Sequence, residues 1–116
     1  MTDSILVSIK KMLGLEQDYT PFDDELVGHI NSAIMVAHQL GVGRDYFIIT
    51  GQDETWQDWL GSGMEQFPAI CNYVYMLTKL SFDPPANSFA VNSLQKQIDE
   101  MTWRLNVQAE NGGIVL

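Results

Sequence analysis

The sequence predicts an all-α protein, a small bundle of about five helices. Apolar residues recur at intervals of three and four through most of the chain, which is the spacing of one helix face. Glycines and prolines fall between these periodic stretches, where helices are expected to end. The 116 residues, 46% of them hydrophobic, are enough for one globular domain with its own core.

Two helices are predicted in the first third of the chain. Ile5, Ile9 and Met12 lie at i, i+4 and i+7, with Lys10 and Lys11 in the last turn, where cations complement the helix dipole. Thr20 and Pro21 are typical of the start of a second helix, and three acidic residues follow in its first turn. The apolar face of this second helix comprises Phe22, Leu26, Ile30, Ala33, Ala37 and Leu40, and Gly41 ends it.

The middle of the chain predicts a short helix and a central one. A compact acidic helix over 53–60 would anchor itself through Trp56, Trp59 and Leu60. A fourth helix over 68–82 is apolar on nearly every side, which predicts contacts from several directions. Asp83-Pro84-Pro85 ends this helix, because proline lacks an N–H and restricts the residue before it.

The last helix is expected to begin near Asn87 or Ser88 and to run for about 18 residues. Its apolar seam comprises Val91, Leu94, Ile98, Met101 and Leu105. Trp103 lies off this seam and is a candidate contact residue. We expect a single helical domain over 1–108 and a flexible tail over 109–116, since Gly112-Gly113 precedes three apolar residues there.

The stretch DYFIIT, residues 45–50, interrupts the helical pattern. Its aromatic and β-branched residues predict a short strand in a protruding loop between the second and third helices. An isolated strand leaves its backbone N–H and C=O groups unpaired. Because the other β-prone segment, 114–116, is only three residues long, we expect a neighbouring copy to pair with the strand. Such a head-to-tail contact builds a ring or a filament.

The charge balance restricts the partners. Fifteen acidic residues oppose six basic ones, giving a net charge of -9 and a pI near 4.3. Binding to phosphate backbones or to an anionic membrane surface is therefore not expected. Helix-dipole complementarity and solubility explain most acidic positions, and a surface that repels DNA is the sharper interpretation. The absence of a basic leader and of a long apolar run predicts a cytosolic protein.

Motifs for catalysis and for metal or cofactor binding are not found. His29 and His38 lie nine residues apart, and Glu25 with His29 is the only helix-spaced pair of metal ligands. The single cysteine, Cys71, cannot form an intrachain disulfide. Phosphate-binding glycine motifs are absent, and Gly61-Ser62-Gly63 lacks the surroundings of a nucleophile elbow. We therefore expect neither an enzyme nor a bound cofactor.

Three segments resemble one protein family. The runs FDDELVGHINSAIMVAHQLGVG, FIITGQDETWQDWLG and YVYMLTKLSFDPPANSFAVNSLQKQIDEMTWRLNVQ resemble, in this order, the head-tail connector proteins of long-tailed bacteriophages, also called head completion or adaptor proteins. The similarity spans residues 5–108. It implies a helical virion assembly protein, encoded by a phage or a resident prophage. Such a protein forms a ring below the portal, joins head to tail and extends the channel through which DNA leaves.

The resemblance also implies roles for individual residues. In relatives the loop between the second and third helices helps to join subunits, and here it maps to 42–52. The expected subunit interface comprises Arg44, Tyr46, Phe47, Ile48, Ile49 and Thr50. The expected portal-facing residues, from the C-terminal helix and tail, are Trp103, Ile114, Val115 and Leu116. The candidates for the DNA-channel wall are Asp53, Glu54 and Asp58.

The partners implied by the resemblance are other copies of the chain, the portal protein and a downstream connector or tail protein. The ring is expected to contain about a dozen copies once docked on the portal. DNA would pass through without specific binding, since an acidic wall repels phosphates. The protein would reside in the host cytoplasm during assembly and at the head-tail junction of the virion. The alternative that the acidic composition leaves open is a DNA-mimic inhibitor of a DNA-binding enzyme.

Overall fold

The computed structural model describes residues 4–61 and 67–110, and residues 108–110 only in their backbone. This part of the chain contains five α-helices, which confirms the prediction of a small all-α bundle. They are α1 (Ile5–Met12), α2 (Asp23–Gln39), α3 (Trp56–Leu60), α4 (Phe67–Phe82) and α5 (Ser88–Glu110). None of the described helices combines the length and apolar character that a membrane span requires.

Helix α4 lies at the centre of the bundle. It packs most extensively against α2 and also contacts α5 and α1. Ile70, Tyr73, Val74 and Met76 of α4 are almost completely buried. The central position predicted from its apolar surface is therefore confirmed. The rest of the core comes mainly from α1, α2, the segment between α2 and α3, and α3 itself, which buries Trp56, Trp59 and Leu60 as predicted.

A buried lysine joins α1 to the start of α2. Lys10 is fully buried, and its Nζ donates hydrogen bonds to the carbonyl oxygens of Gln17, at 2.9 Å, and Tyr19, at 2.7 Å. The same ammonium pairs with the Asp23 carboxylate at 2.9 Å. A buried charge is tolerated when it is paired and fully hydrogen-bonded. Lys10 therefore holds the α1–α2 connection together, a role beyond that of a cation in the last helical turn.

The predicted start of α2 at Thr20 and Pro21 is wrong. The helix begins at Asp23 with Phe22 at the N-cap. The Thr20 carbonyl oxygen instead accepts a hydrogen bond from the Asp23 N–H, at 3.1 Å, within a turn. The acidic first turn and the end of the helix before Gly41 agree with the prediction.

The predicted start of α3 at Asp53 is also wrong, since the helix begins at Trp56. Thr55 is its N-cap and forms a capping box with Asp58. The residues before the helix pair with the beginning of α1 instead. The Ile5 N–H donates to the Glu54 carbonyl oxygen at 3.0 Å, and Ser4 and Thr55 form an isolated antiparallel bridge.

Helix α5 packs against α4 through part of its predicted seam. Ile98 and Leu105 are buried, and Leu94 and Met101 are partly buried against the core. The helix is 23 residues long and continues to Glu110, two residues beyond the predicted end of the domain. The predicted portal-facing residues Ile114, Val115 and Leu116 lie outside the described residues.

Candidate functional site

Residues 45–50 form an irregular loop and not the predicted β-strand. Phe47 and Ile49 are buried in the core of their own chain, whereas Tyr46 is fully exposed and Ile48 is 58% exposed. Side chains therefore alternate between core and solvent, as in an extended segment, and residues 4–61 and 67–110 supply no partner strand. Of the predicted interface residues, Phe47 and Ile49 are therefore covered within the subunit.

The side chain of Asn31, on α2, takes the place of a partner strand. Its Nδ2 donates to the Ile49 carbonyl oxygen at 2.9 Å, and its Oδ1 accepts from the Ile49 N–H at 2.8 Å. A carboxamide has the same donor and acceptor as a peptide group, so one side chain satisfies both backbone groups of Ile49. The loop is thereby fixed to α2.

The first half of the loop is fixed to α3. Gly43 adopts a φ of +73°, and a Cβ at this position would overlap the indole of Trp59. The Arg44 N–H donates to the Trp59 carbonyl oxygen at 3.1 Å, and its Nε donates to that of Asp58 at 2.7 Å. These bonds satisfy carbonyl groups at the C-terminal end of α3, which lack partners within the helix.

Aromatic stacking continues this packing towards the core. The Phe47 ring stacks on Trp59 with 6.1 Å between centroids, and the Arg44 guanidinium lies 5.1 Å from the Phe47 centroid. Arg44 and Phe47 therefore support the loop from within the subunit. Among the predicted interface residues, the side chains that face solvent beside them are Tyr46, Ile48 and Thr50.

A groove of about 560 Å³ lies between α2 and the loop, and we call it the α2–loop groove. Its lining residues are Asn31, Ile34, Met35, His38, Arg44, Asp45, Tyr46, Phe47 and Ile48. Met35 is 63% exposed, so the groove presents apolar atoms to solvent. The contribution of α2 was missed because the predicted apolar face of that helix excludes Met35. The neighbouring pair Met35-Val36, apolar and off that face, was the available signal.

His38 links α2 to the loop at the edge of the groove. Its Nε2 lies 2.8 Å from Asp45 Oδ1, and its Nδ1 lies 3.1 Å from the Val42 carbonyl oxygen. Both partners are hydrogen-bond acceptors. The imidazole therefore bridges the backbone after α2 and the first residue of the 45–50 loop.

Tyr46 has an unusual backbone conformation at the tip of the loop. Its φ is +60°, and it is the only non-glycine residue with positive φ in the described part of the chain. This conformation costs about 1 kcal/mol or more for a residue with a Cβ. Its side chain is fully exposed. The strain is therefore not offset by packing of the ring within the subunit.

Two of the three acidic channel candidates have local structural roles. Glu54 accepts hydrogen bonds from the Thr50 hydroxyl at 2.7 Å and the Gly51 N–H at 3.3 Å. Partial burial raises the pKa of Glu54, but these bonds and other local backbone bonds together outweigh it, so the pKa lies below its usual value of 4.5. Asp58 accepts from the Thr55 N–H at 2.9 Å. Asp53 is exposed, without a side-chain hydrogen bond in the described part of the chain.

A second apolar surface lies on α5. Phe89, in the first turn of the helix, is 88% exposed, and Trp103 is 65% exposed. Both lie off the seam that packs against α4. The predicted site residues are therefore brought together only in part, with the loop residues around one groove and Trp103 on a different helix.

Comparison with protein families gives one match that covers nearly the whole chain. The family model described as "Phage connector protein" matches residues 5–112. No curated protein and no solved structure matches the chain.

Proposed function

Since the chain belongs to the phage connector protein family, it is a phage structural protein, and we propose that it forms a ring below the portal that joins head to tail. The ring would extend the channel through which DNA leaves the capsid. The observation that carries this proposal is the family match over residues 5–112. The work of such a protein is assembly, and we assign it no catalytic step.

The solvent side of the loop supports a role in joining subunits. Tyr46, Ile48 and Met35 together expose apolar surface on a protein whose net charge is -9. Exposed aromatic and methionine side chains are enriched at protein interfaces. We propose that Tyr46 and Ile48 make the contact with the next copy, together with the exposed rim residues Arg44 and Thr50. Phe47 and Ile49 would act indirectly, by holding the loop in place.

We assign the contact with the portal to α5 and the C-terminal tail. Trp103 supplies an exposed aromatic ring on α5, and large aromatic side chains often anchor protein interfaces. Ile114, Val115 and Leu116 remain candidates for the same surface from the sequence alone.

Charge supports passage of DNA without binding. About a dozen copies at -9 each give a ring of roughly a hundred negative charges, screened over a Debye length of about 10 Å at 0.1 M salt. Such a ring repels the phosphate backbone, so DNA can slide. Asp53 is the best candidate for the channel wall, since Glu54 and Asp58 are engaged in local hydrogen bonds. The same repulsion between subunits makes assembly stronger as salt is added or on a portal template.

The experiment is to measure assembly of the Tyr46→Gly variant. Glycine removes the aromatic contact and also the strain of the positive φ, so the monomer should be at least as stable as wild type. Ring formation should weaken by about tenfold or more, as expected for an interface aromatic. Analytical ultracentrifugation over a salt series, and native mass spectrometry with and without the portal complex, measure this. Trp103→Ala is the matched control, which should spare the ring and weaken docking on the portal.

Two results would contradict the proposal. A wild-type protein that stays monomeric at every salt concentration and on portal complexes does not form a connector ring. A monomer or dimer that instead displaces DNA from a DNA-binding enzyme would support the DNA-mimic alternative.

A further inference from the structure

We propose that Phe89 of one copy inserts into the α2–loop groove of the next copy. Lys96, on the same face of α5, pairs there with Asp45 at the rim of the groove. This inference rests on the proposed ring and specifies which two surfaces meet in it. The occupant of the groove is thus a second copy of this chain.

The groove is open and apolar, and its walls are not covered within the subunit. Met35 on α2 is 63% exposed and Ile48 on the loop is 58% exposed. The loop wall is held in position by the Asn31 amide and by the link between His38 and Asp45. A preformed apolar groove of about 560 Å³ gains free energy from an apolar occupant, because water leaves both surfaces.

Phe89 has the properties of such an occupant. Apart from Tyr46, it is the most exposed large apolar side chain in the described part of the chain, at 88%. It is neither in the core nor packed against it. The fold therefore does not depend on Phe89, and its ring is free to enter an apolar groove on another molecule.

The charges on the two surfaces favour the N-terminal half of α5, which carries Phe89, as the part that meets the groove. Lys96 lies seven residues after Phe89, which places both side chains on one face about 10 Å apart. Lys96 is exposed and forms no ion pair within the residues described. Asp45 lines the groove, and its side chain is 75% exposed beside His38. The Asp45 carboxylate can accept further hydrogen bonds besides the one from His38, so it can also pair with Lys96 of a neighbouring copy.

Trp103, the other exposed aromatic of α5, fits the groove less well. Asp99 and Glu100 precede it by four and three residues and therefore share its side of the helix. The cation beside Trp103, Arg104, is already paired with Glu100 at 2.7 Å, so Trp103 brings no unpaired positive charge to Asp45. Lys96 beside Phe89 gives attraction at the same place.

The two surfaces belong to different elements of the subunit, so the contact is heterologous. Each copy offers its groove to one neighbour and its Phe89 to the other. A contact of this kind closes into a ring when its rotation divides a full turn. The inference therefore agrees with the assembly proposed above and requires no additional chain.

Cross-linking tests the contact directly. In a Cys71→Ala background, Met35→Cys and Ser93→Cys place one thiol in the groove and one beside its proposed occupant, a turn further along α5, so that Phe89 itself is kept. Treatment of assembled rings with a short bismaleimide should give a ladder of covalently joined copies on a denaturing gel. The control pair, Met35→Cys with Trp103→Cys, should give no ladder. Circular dichroism checks that each variant is folded.

Charge reversal tests the polar part of the contact. Lys96→Glu should weaken ring formation by about tenfold at low salt, whereas the control Lys11→Glu, at an exposed cation of α1 that lines neither surface, should not. Rings that form normally in Phe89→Ala and give no ladder with the 35/93 pair would overturn this inference and leave the proposed ring intact. Failure of the wild-type protein to assemble on the portal would overturn the proposed function itself.

Discussion

Helices α4 and α5 pack against each other but differ in how much of their surface the fold uses. The 16-residue α4 is contacted by α1, α2 and α5, and it buries Ile70, Tyr73 and Val74 almost completely. The 23-residue α5 is longer, yet among its described side chains only Ile98 and Leu105 are buried. The difference shows that stability is concentrated around α4, whereas most of α5 is available for contacts with other molecules. Burial, and not helix length, should therefore decide where substitutions are costly.

The largest loss of stability is expected at Gly43, which lies in a loop. This position tests whether close packing, and not membership of a helix, decides the cost of a substitution. Gly43→Ala places a Cβ against the Trp59 indole at a φ of +73°. The overlap and the backbone strain together should lower the free energy of unfolding by about 4 kcal/mol. Urea denaturation measures this. The matched control is Gly28→Ala, an exposed position within α2 with open space around it, which should stabilise the protein by about 1 kcal/mol. Equal effects at the two glycines would contradict the packing described for the loop.

The difference between α4 and α5 can be tested directly by truncating one large apolar side chain on each helix. Ile70→Ala on α4 removes a side chain that is 1% exposed and should destabilise the fold by about 3 kcal/mol. Phe89→Ala on α5 removes a larger side chain but should leave the monomer's stability unchanged within about 0.5 kcal/mol. Thermal and urea unfolding of both variants provide the measurement. A destabilisation by Phe89→Ala as large as that by Ile70→Ala would show that the first turn of α5 also packs in the core.

The link between the two helices should have an intermediate effect. The Tyr73 hydroxyl lies 2.7 Å from the Thr102 hydroxyl, which in turn donates to the Ile98 carbonyl oxygen at 2.8 Å. Tyr73→Phe keeps the ring and removes one hydrogen bond at a buried position, so a loss of about 1 kcal/mol is expected. Hydrogen exchange should then increase in α5 more than in α4. No change in either measurement would indicate that apolar packing alone holds α5.

The smallest effect is expected from the carboxylate that closes the loop. The folded-state pKa of Glu54 is lowered by its hydrogen bonds, so its contribution to stability is present above the unfolded pKa of about 4.5. That contribution is lost as the pH falls through the folded-state pKa. The urea midpoint of the wild type should therefore fall more between pH 6 and pH 3 than that of Glu54→Gln. Asp53→Asn, which removes a charge without a local hydrogen bond, should show no such difference.

The helices could be predicted from the sequence where periodicity and helix-ending residues agree. The end of α4 before Pro84 and the end of α2 before Gly41 are examples. The start of α2 was wrong because Thr20 and Pro21 form a preceding turn, next to carbonyl groups that the buried Lys10 holds. A local capping signal carries no information about a lysine ten residues earlier in the chain.

The site could be predicted only as a position in the chain. The segment 42–52 was expected to matter, and its exposed residues Tyr46 and Ile48 surround the groove. The strand prediction failed because Asn31, 18 residues away, satisfies the backbone of Ile49. The β-propensity of a segment describes its local backbone preference. It does not reveal which distant side chain will form hydrogen bonds with that backbone. The other wall of the groove, with Met35 and His38, depends on tertiary packing in the same way.

We expect the Asn31 amide also to disfavour the formation of fibrils by stacking of residues 47–49 from different copies. A run such as Phe47-Ile48-Ile49 with free backbone groups is a template for amyloid-like stacking. With both backbone groups of Ile49 occupied, a ladder of backbone hydrogen bonds between copies cannot run through this residue. Asn31→Ala should therefore increase fibril formation at high protein concentration, measured by thioflavin T fluorescence, and an unchanged signal would contradict this. On this account Asn31, a polar side chain of α2, allows copies to form a closed ring while opposing the growth of open-ended fibrils.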